Sequence, residues 1–211
     1  MSISAVALTQ VLFQQSFGQT IVGTAHDFSA EAWNTYEYGA GVGGDQICKV
    51  CHTPHNASLI GDQKPLWNHT ATTAVYTLYS NSTFNGSATI TQPDGASKLC
   101  LSCHDGTVAV DQFNPVNTST NFIAGAGNIG TDLSNDHPVS FDYSSNLAAT
   151  DGGLFDPTIT PSGLGNTIST DMLFNNKLQC ASCHNAHDNS NGKFLRKSNT
   201  NSALCLTCHD K

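Results

Sequence analysis

Four stretches of this 211-residue chain place two cysteines three apart with a histidine directly after the second. They are Cys48, Cys51 and His52; Cys100, Cys103 and His104; Cys180, Cys183 and His184; and Cys205, Cys208 and His209. All eight cysteines of the chain are used. Cysteine pairs alone suit a four-thiolate zinc site or a disulfide framework. Neither needs the fifth residue, and only nine His occur in the chain, so a His after every pair is not a matter of composition. A thioredoxin-like redox pair would occur once, on a strand–helix unit. C-x-x-C-H is the attachment signature of c-type haem: the thiols add to the two vinyl groups and the His takes one axial position of the iron. The pattern predicts four covalently attached haem c groups, with His52, His104, His184 and His209 as proximal ligands.

The second axial position decides between electron carrier and enzyme, because an open iron binds or activates a small molecule. Five His lie outside the motifs: His26, His55, His69, His137 and His187. The other common distal ligand is Met, and there are only Met1 and Met172. Four irons and five spare imidazoles favour four bis-His haems with one His left over. Two imidazoles without a thioether predict low-potential, low-spin centres. His52 and His55, like His184 and His187, stand three apart. Such neighbours cannot bind one iron from the same face, so the second of each pair must cap a different haem.

The elements that hold these residues are short. Each C-x-x-C-H should occupy one helical turn, since both thiols must face one porphyrin edge. Ser, Thr, Asn and Gly run through the chain and favour turns over long elements. The predicted fold is mostly irregular coil with short helices and few short strands, wrapped around a chain of four stacked haems that supply much of the core. Ala71–Leu78 reads as a short helix, and Ile21–Gly23 and Val108–Val110 as short strands. Asp27 reads as a helix N-cap for Phe28–Trp33. Gly125–Gly130 matches G-x-G-x-x-G, but no helical periodicity follows it, so it reads as a loop rather than a dinucleotide site; Gly39–Gly44 reads as a loop too.

The chain also repeats itself. CKVCHTPHN, PLWNH and KLCLSCHD in the first half correspond to CASCHNAHD, FLR and ALCLTCHD in the second. Repeated units that cannot bury their apolar faces alone imply stacking. The chain is read as one unit, 1–211. It comprises an N-terminal arm (1–25), the first two motifs (26–110), a surface excursion carrying a distal His (111–179) and the last two motifs (180–211). His184 and His209 are close in sequence, which makes the third and fourth haems neighbours. The longer excursion Asp105–Gln179, which contains the turn-rich Asp151–Gly165, separates the second and third haems and is expected to wrap the surface.

A net charge of −8 argues against nucleic acid or an anionic membrane as partner, since both call for basic patches. Sequons at Asn56, Asn68, Asn81, Asn85 and Asn117 follow from an Asn-, Ser- and Thr-rich composition. Haem attachment through C-x-x-C-H implies export. No Lys or Arg precedes Lys49, so Met1–Phe17 lacks the basic start of a signal peptide. That stretch is too short and polar to span a bilayer and is expected to be an arm packed on its own subunit or a neighbour.

The ordered set GTAHDFS, ICKVCHTPHN, PLWNH, LCLSCHDG, NDHPVSFDY and CASCHNAHD, running from Val22 onward, resembles the doubled C-x-x-C-H multihaem cytochromes. Within them it is similar to the OmcE-type tetrahaem cytochromes that polymerise into extracellular filaments of metal-reducing bacteria. The resemblance implies bis-His haems in alternating parallel and T-shaped pairs, with one distal His donated by the adjacent subunit. In related hexahaem filaments the donated ligand is the second His of the first C-x-x-C-H-x-x-H, which is His55 here. On that resemblance His26, His137 and His187 cap haems within the subunit. His55 caps the neighbour's haem on Cys205 and Cys208. His69 is the spare or alternative distal ligand, because the family also has Arg in that context.

The function expected from these readings is electron transfer without catalysis, in a head-to-tail extracellular homopolymer. It would take electrons from outer-membrane or periplasmic cytochromes and pass them to external acceptors such as metal oxides, with no membrane span. A soluble periplasmic tetrahaem shuttle is the alternative. A haem reductase is disfavoured, because enough His exist to close every iron and no Lys replaces a motif His.

Overall fold

The computed structural model describes residues 21–31, 33–34, 47–59, 65–114, 116–117 and 119–210. Most of the arm at 1–25 and the loop at Gly39–Gly44 lie outside the described residues. Most of the rest is coil, as the composition predicted. Helices are α1 (Gly95–His104), α2 (Ser145–Asp151), α3 (Ile168–Met172) and α4 (Cys180–Cys183). Two antiparallel pairs of two-residue strands complete the regular structure: β1 (Gln112–Phe113) with β2 (Val116–Asn117), and β3 (Phe141–Asp142) with β4 (Lys177–Leu178). No described helix is long and apolar enough to cross a membrane.

Local chemistry explains the helices. Ser144 caps α2 by accepting the Leu147 N–H at 3.2 Å, and Gly152 ends it with a left-handed φ of 70° that a side chain would strain. Thr167 caps α3 through the Thr170 N–H. The attachment motifs each close a helical turn. The N–H of His52, His184 and His209 donates to the carbonyl of Cys48, Cys180 and Cys205 at 2.8, 3.0 and 3.0 Å, and the second motif forms the end of α1.

Four predicted elements do not form among the described residues. Ala71–Leu78 is extended rather than helical. Thr72, Thr73, Val75 and Thr77 are β-branched, and the backbone is engaged from outside: Tyr76 N–H and C=O bond the Gln92 amide, and Thr77 pairs with Thr131 and Leu133. Ile21–Gly23 forms turns, and Val108–Val110 carries no strand, though Val110 N–H bonds the Asn121 carbonyl just before β1. Asp27 caps no helix; its carboxylate accepts from Gly23 and Ser29 in a tight turn. Gly125–Gly130 is a single 3-10 turn and coil, consistent with the loop reading.

The segment between the second and third motifs does more than wrap the surface. It supplies Phe141, Tyr143, Leu147, Ala148, Ile168, Met172, Leu173 and Leu178, which with Leu204 form the larger apolar cluster. A smaller cluster joins Tyr76, Leu101 and Leu133 beside α1. Turn-rich composition hid this core, because its apolar residues are spread over short elements with no sustained period.

Buried polar groups complete the interior. Asp105, directly after the second motif, accepts from Thr72 Oγ1 and Tyr76 Oη at 2.6 Å and from the Thr107 amide at 2.7 Å. It draws the extended 71–78 segment onto the end of α1. Burial works against its ionisation, but these donors hold its carboxyl below the ordinary range. Asp94 forms the one ion pair among the described residues, with Lys177.

Two outcomes test this packing. Ile168 is fully buried, so Ile168→Ala should cost about 2–4 kcal/mol, read as a lower denaturation midpoint of the holoprotein. Asp94 also sits below the ordinary carboxylate value: burial opposes the shift, and Lys177 and Gln179 outweigh it. Its contribution is therefore present at neutral pH and lost as pH falls through the lowered value. After solvent screening it is at most about 1 kcal/mol. Asp94→Asn should flatten the acid limb of the stability–pH curve below about pH 4; an unaltered limb would count against the pair.

Candidate haem sites

The sequence repeat is also a backbone repeat. His52 bridges Trp67, and His184 bridges Leu195, both antiparallel. Thr53 N–H donates to Leu66 O at 2.8 Å, and Asn185 N–H to Phe194 O at 2.7 Å. Asn68 N–H donates to Cys51 O, and Arg196 N–H to Cys183 O, both at 2.9 Å. Leu66 and Phe194 share a left-handed φ, 55° and 56°. Both third residues then reach the same place. Asn68 Nδ2 donates to the carbonyl of Lys49, and Arg196 Nε to that of Ala181, each the residue after the first motif cysteine. PLWN and FLR are thus equivalent clamps, each folded over an attachment turn.

The clamps also orient the motif imidazoles. His52 Nδ1 donates to Pro65 O, and His184 Nδ1 to Lys193 O at 2.9 Å. These are again equivalent, one residue before Leu66 and Phe194. His104 Nδ1 donates to Gly127 O at 2.7 Å, which gives the glycine loop a function. A backbone acceptor on Nδ1 selects the tautomer whose Nε2 lone pair is free for a metal.

Three of the four motif imidazoles face a second imidazole. The ring centroids are 6.0 Å apart for His26 and His104, 5.9 Å for His52 and His187, and 6.3 Å for His137 and His209. An iron held by two imidazole nitrogens at about 2 Å each separates the centroids by about 6 Å, so these pairs fit axial ligation of haem. Burial, and then the neighbouring His104, lowers the pKa of His26; burial and His52 lower that of His187. Both therefore favour the neutral form that a ligand needs. The His26 ring also stacks on Phe194, with centroids 4.3 Å apart and planes at 19°. Phe194 entered the sequence reading only as a repeat landmark. Nothing in its spacing signals the stack, because the two residues are far apart in the chain.

Among the described residues no ring contact pairs His184 with another imidazole, though its charge acts on His26, and His55 lies exposed in a loop without such a contact. This departs from the expectation that the Cys205–Cys208 motif awaits a donated ligand: His209 already faces His137. The physical reason is the β3–β4 pairing, which brings the excursion, with His137 just before β3, back across the last two motifs. His69 is only 1% exposed. Its Nε2 donates to Ala109 O at 2.9 Å, and its Nδ1 is buried without a partner. The ring is buried, with its Nε2 also 3.5 Å from the sulfur of Cys103 in the second motif.

Thiols of consecutive motifs lie close enough to perturb one another. Cys51 acts on Cys103, Cys100 and Cys180 on each other, and Cys183 on Cys208. Burial, with the adjacent Cys48, pushes the Cys51 thiol up to about 11. Among the described residues no three His, Cys, Asp or Glu side chains converge as a zinc ion would require. An open groove of about 650 Å³ beside α2, lined by Asn85, Thr89, Tyr143 and Asn176 among others, includes no histidine or cysteine in its wall.

Residues 173–211 match the family model for the doubled CXXCH motif. The match supports a multihaem c-type cytochrome, with haem held covalently through the C-x-x-C-H motifs, and suggests electron transfer. No curated protein matches the chain.

If Asn68 and Arg196 are equivalent clamps, their loss should act alike. Asn68→Ala should cost about 1 kcal/mol and Arg196→Ala about 1.5–3 kcal/mol, the guanidinium being a charged donor. Thermal unfolding of the two holoproteins checks this; a neutral Arg196→Ala would mean the clamp is ornamental.

Proposed function

We propose that the chain carries four bis-His c-type haems and polymerises head to tail into an extracellular filament for long-range electron transport. Bound haem supplies the one-electron redox couple. The eight motif cysteines hold it covalently, and His52, His104, His184 and His209 take the proximal positions. His187, His26 and His137 close the opposite positions at His52, His104 and His209 within the subunit. Filling both axial positions excludes outside ligands, which suits a carrier rather than an enzyme.

One observation carries the filament: a motif imidazole and a free imidazole, His184 and His55, are both exposed and unpaired with each other among the described residues. The repeat says how they belong together. His52 and His184 are equivalent, and so are His55 and His187, each three residues on. His187 of the second unit serves His52 of the first within one chain. By the same relation His55 of the first unit serves His184 of the second, in the next chain. The acceptor is then the third motif, on Cys180 and Cys183, rather than the last. Such a contact joins two different surfaces and does not close on itself, so it propagates as a fibre. Leu59, four residues after His55, and Leu66, whose carbonyl accepts from the Thr53 N–H, are 82% and 54% exposed and give that contact an apolar rim. Upstream partners would be periplasmic or outer-membrane cytochromes, and downstream ones external acceptors such as metal oxides.

Haem quantitation of the purified protein should give four per chain, and negative-stain microscopy should show ribbons. Monodisperse small particles would favour the soluble periplasmic shuttle. His55→Ala should abolish the ribbons, retain four haems and leave one of them without its second imidazole by electron paramagnetic resonance. Intact ribbons with unchanged spectra would sink the shared ligand.

A further inference from the structure

The second attachment helix is not capped by its own N-cap side chain, and the third, which has its own capping box between Gln179 and Ser182, also takes a cap from outside. Asp94 occupies the N-cap position of α1, yet its side chain makes no capping bond. Its carboxylate turns away, to Lys177 and to Gln179 Nε2 at 2.8 Å. The donor that Asp94 neglects, the Ser97 N–H, goes to Gln179 Oε1 at 3.1 Å. Ser97 returns the bond: its Oγ accepts the Cys180 N–H at 2.9 Å, the first amide of α4. Gln179 is itself the N-cap residue of α4, and its own N–H donates to Ser182 Oγ at 2.9 Å. Ser140, just before β3, closes the knot by donating to Gln179 Oε1 at 3.2 Å and accepting the Asp94 N–H at 3.1 Å.

The knot is dry. Ser97 and Ser140 are fully buried and Gln179 is 2% exposed, so a bond lost here is not replaced by water. Immediately beyond it lie the sulfurs of Cys100 and Cys180, one from each motif, close enough to perturb one another. An orphan amide at the start of each helix is thus satisfied by a side chain of the other, and the two starts are held at one separation and one angle.

We propose that Ser97 and Gln179 are positioning residues that cap each other's attachment helix and so lock the second and third motifs into one rigid unit. Under the proposed tetrahaem function, on which this rests, the lock sets the spacing and orientation of the two groups attached at Cys100 and Cys180. Neither residue touches a haem-binding position from its own motif; each acts through the helix it caps.

The signature of mutual capping is that a change in one motif loosens the other. Ser97→Ala places the best helix former in α1 and removes only the acceptor of the Cys180 amide, so the fold should hold. Gln179→Leu removes the acceptor of the Ser97 amide with little change in volume. In the holoprotein, hydrogen exchange should quicken about tenfold at Cys180 in Ser97→Ala, and about tenfold at Ser97 in Gln179→Leu. The bisignate Soret circular dichroism that reports haem–haem coupling should weaken in both, with haem content unchanged. Exchange that quickens only within the substituted segment, or an unaltered Soret couplet, would overturn the lock. A haem content below four in the unsubstituted protein would instead overturn the tetrahaem reading, and the exchange at Cys180 and Ser97 would still decide the capping.

Discussion

Everything in this molecule depends on one local constraint. The two thiols and the imidazole of each attachment motif must emerge on one side of a single helical turn, closed by the His N–H on the first cysteine carbonyl. A turn that short is not stable by itself, because helix nucleation fixes several dihedrals for one hydrogen bond. The surrounding chain must therefore hold each turn from outside. PLWN and FLR fold over the first and third turns, the glycine loop holds His104, and the starts of the second and third helices cap each other.

This division of labour explains the composition. Regular structure is scarce, and much of the interior around the motifs is polar and hydrogen bonded. Buried Ser97, Ser102, Ser140, Ser182 and Thr207 are small enough to sit between turns and still satisfy a backbone group. A large apolar side chain at these places would separate the motifs. The apolar cluster formed by residues of the 141–178 segment with Leu204 packs directly against Cys183 and Cys208 of the last two motifs, and β3–β4 ties it to the third.

Duplication leaves one asymmetry between the two units. Two equivalent units with equivalent clamps differ in where the second His goes. His187 finds His52 within the chain, whereas His55 faces solvent on a loop rimmed by Leu59 and Leu66.

The covalent chemistry was legible from residues alone, because C-x-x-C-H is a local pattern whose spacing is its geometry. So was the scarcity of regular structure, since Gly, Asn, Ser and Thr act on the backbone one residue at a time. The repeat was legible as well, down to the triplets that became clamps. Ala71–Leu78 was misread because its fate is set by Gln92 and Thr131, side chain and backbone from elsewhere. Which imidazole faces which motif His, and that His209 rather than His184 makes such a ring contact, only the tertiary structure decided. An imidazole reports nothing in sequence about the partner it will face; that is fixed by long-range contacts such as β3 with β4 and His26 on Phe194, whose members lie far apart in the chain.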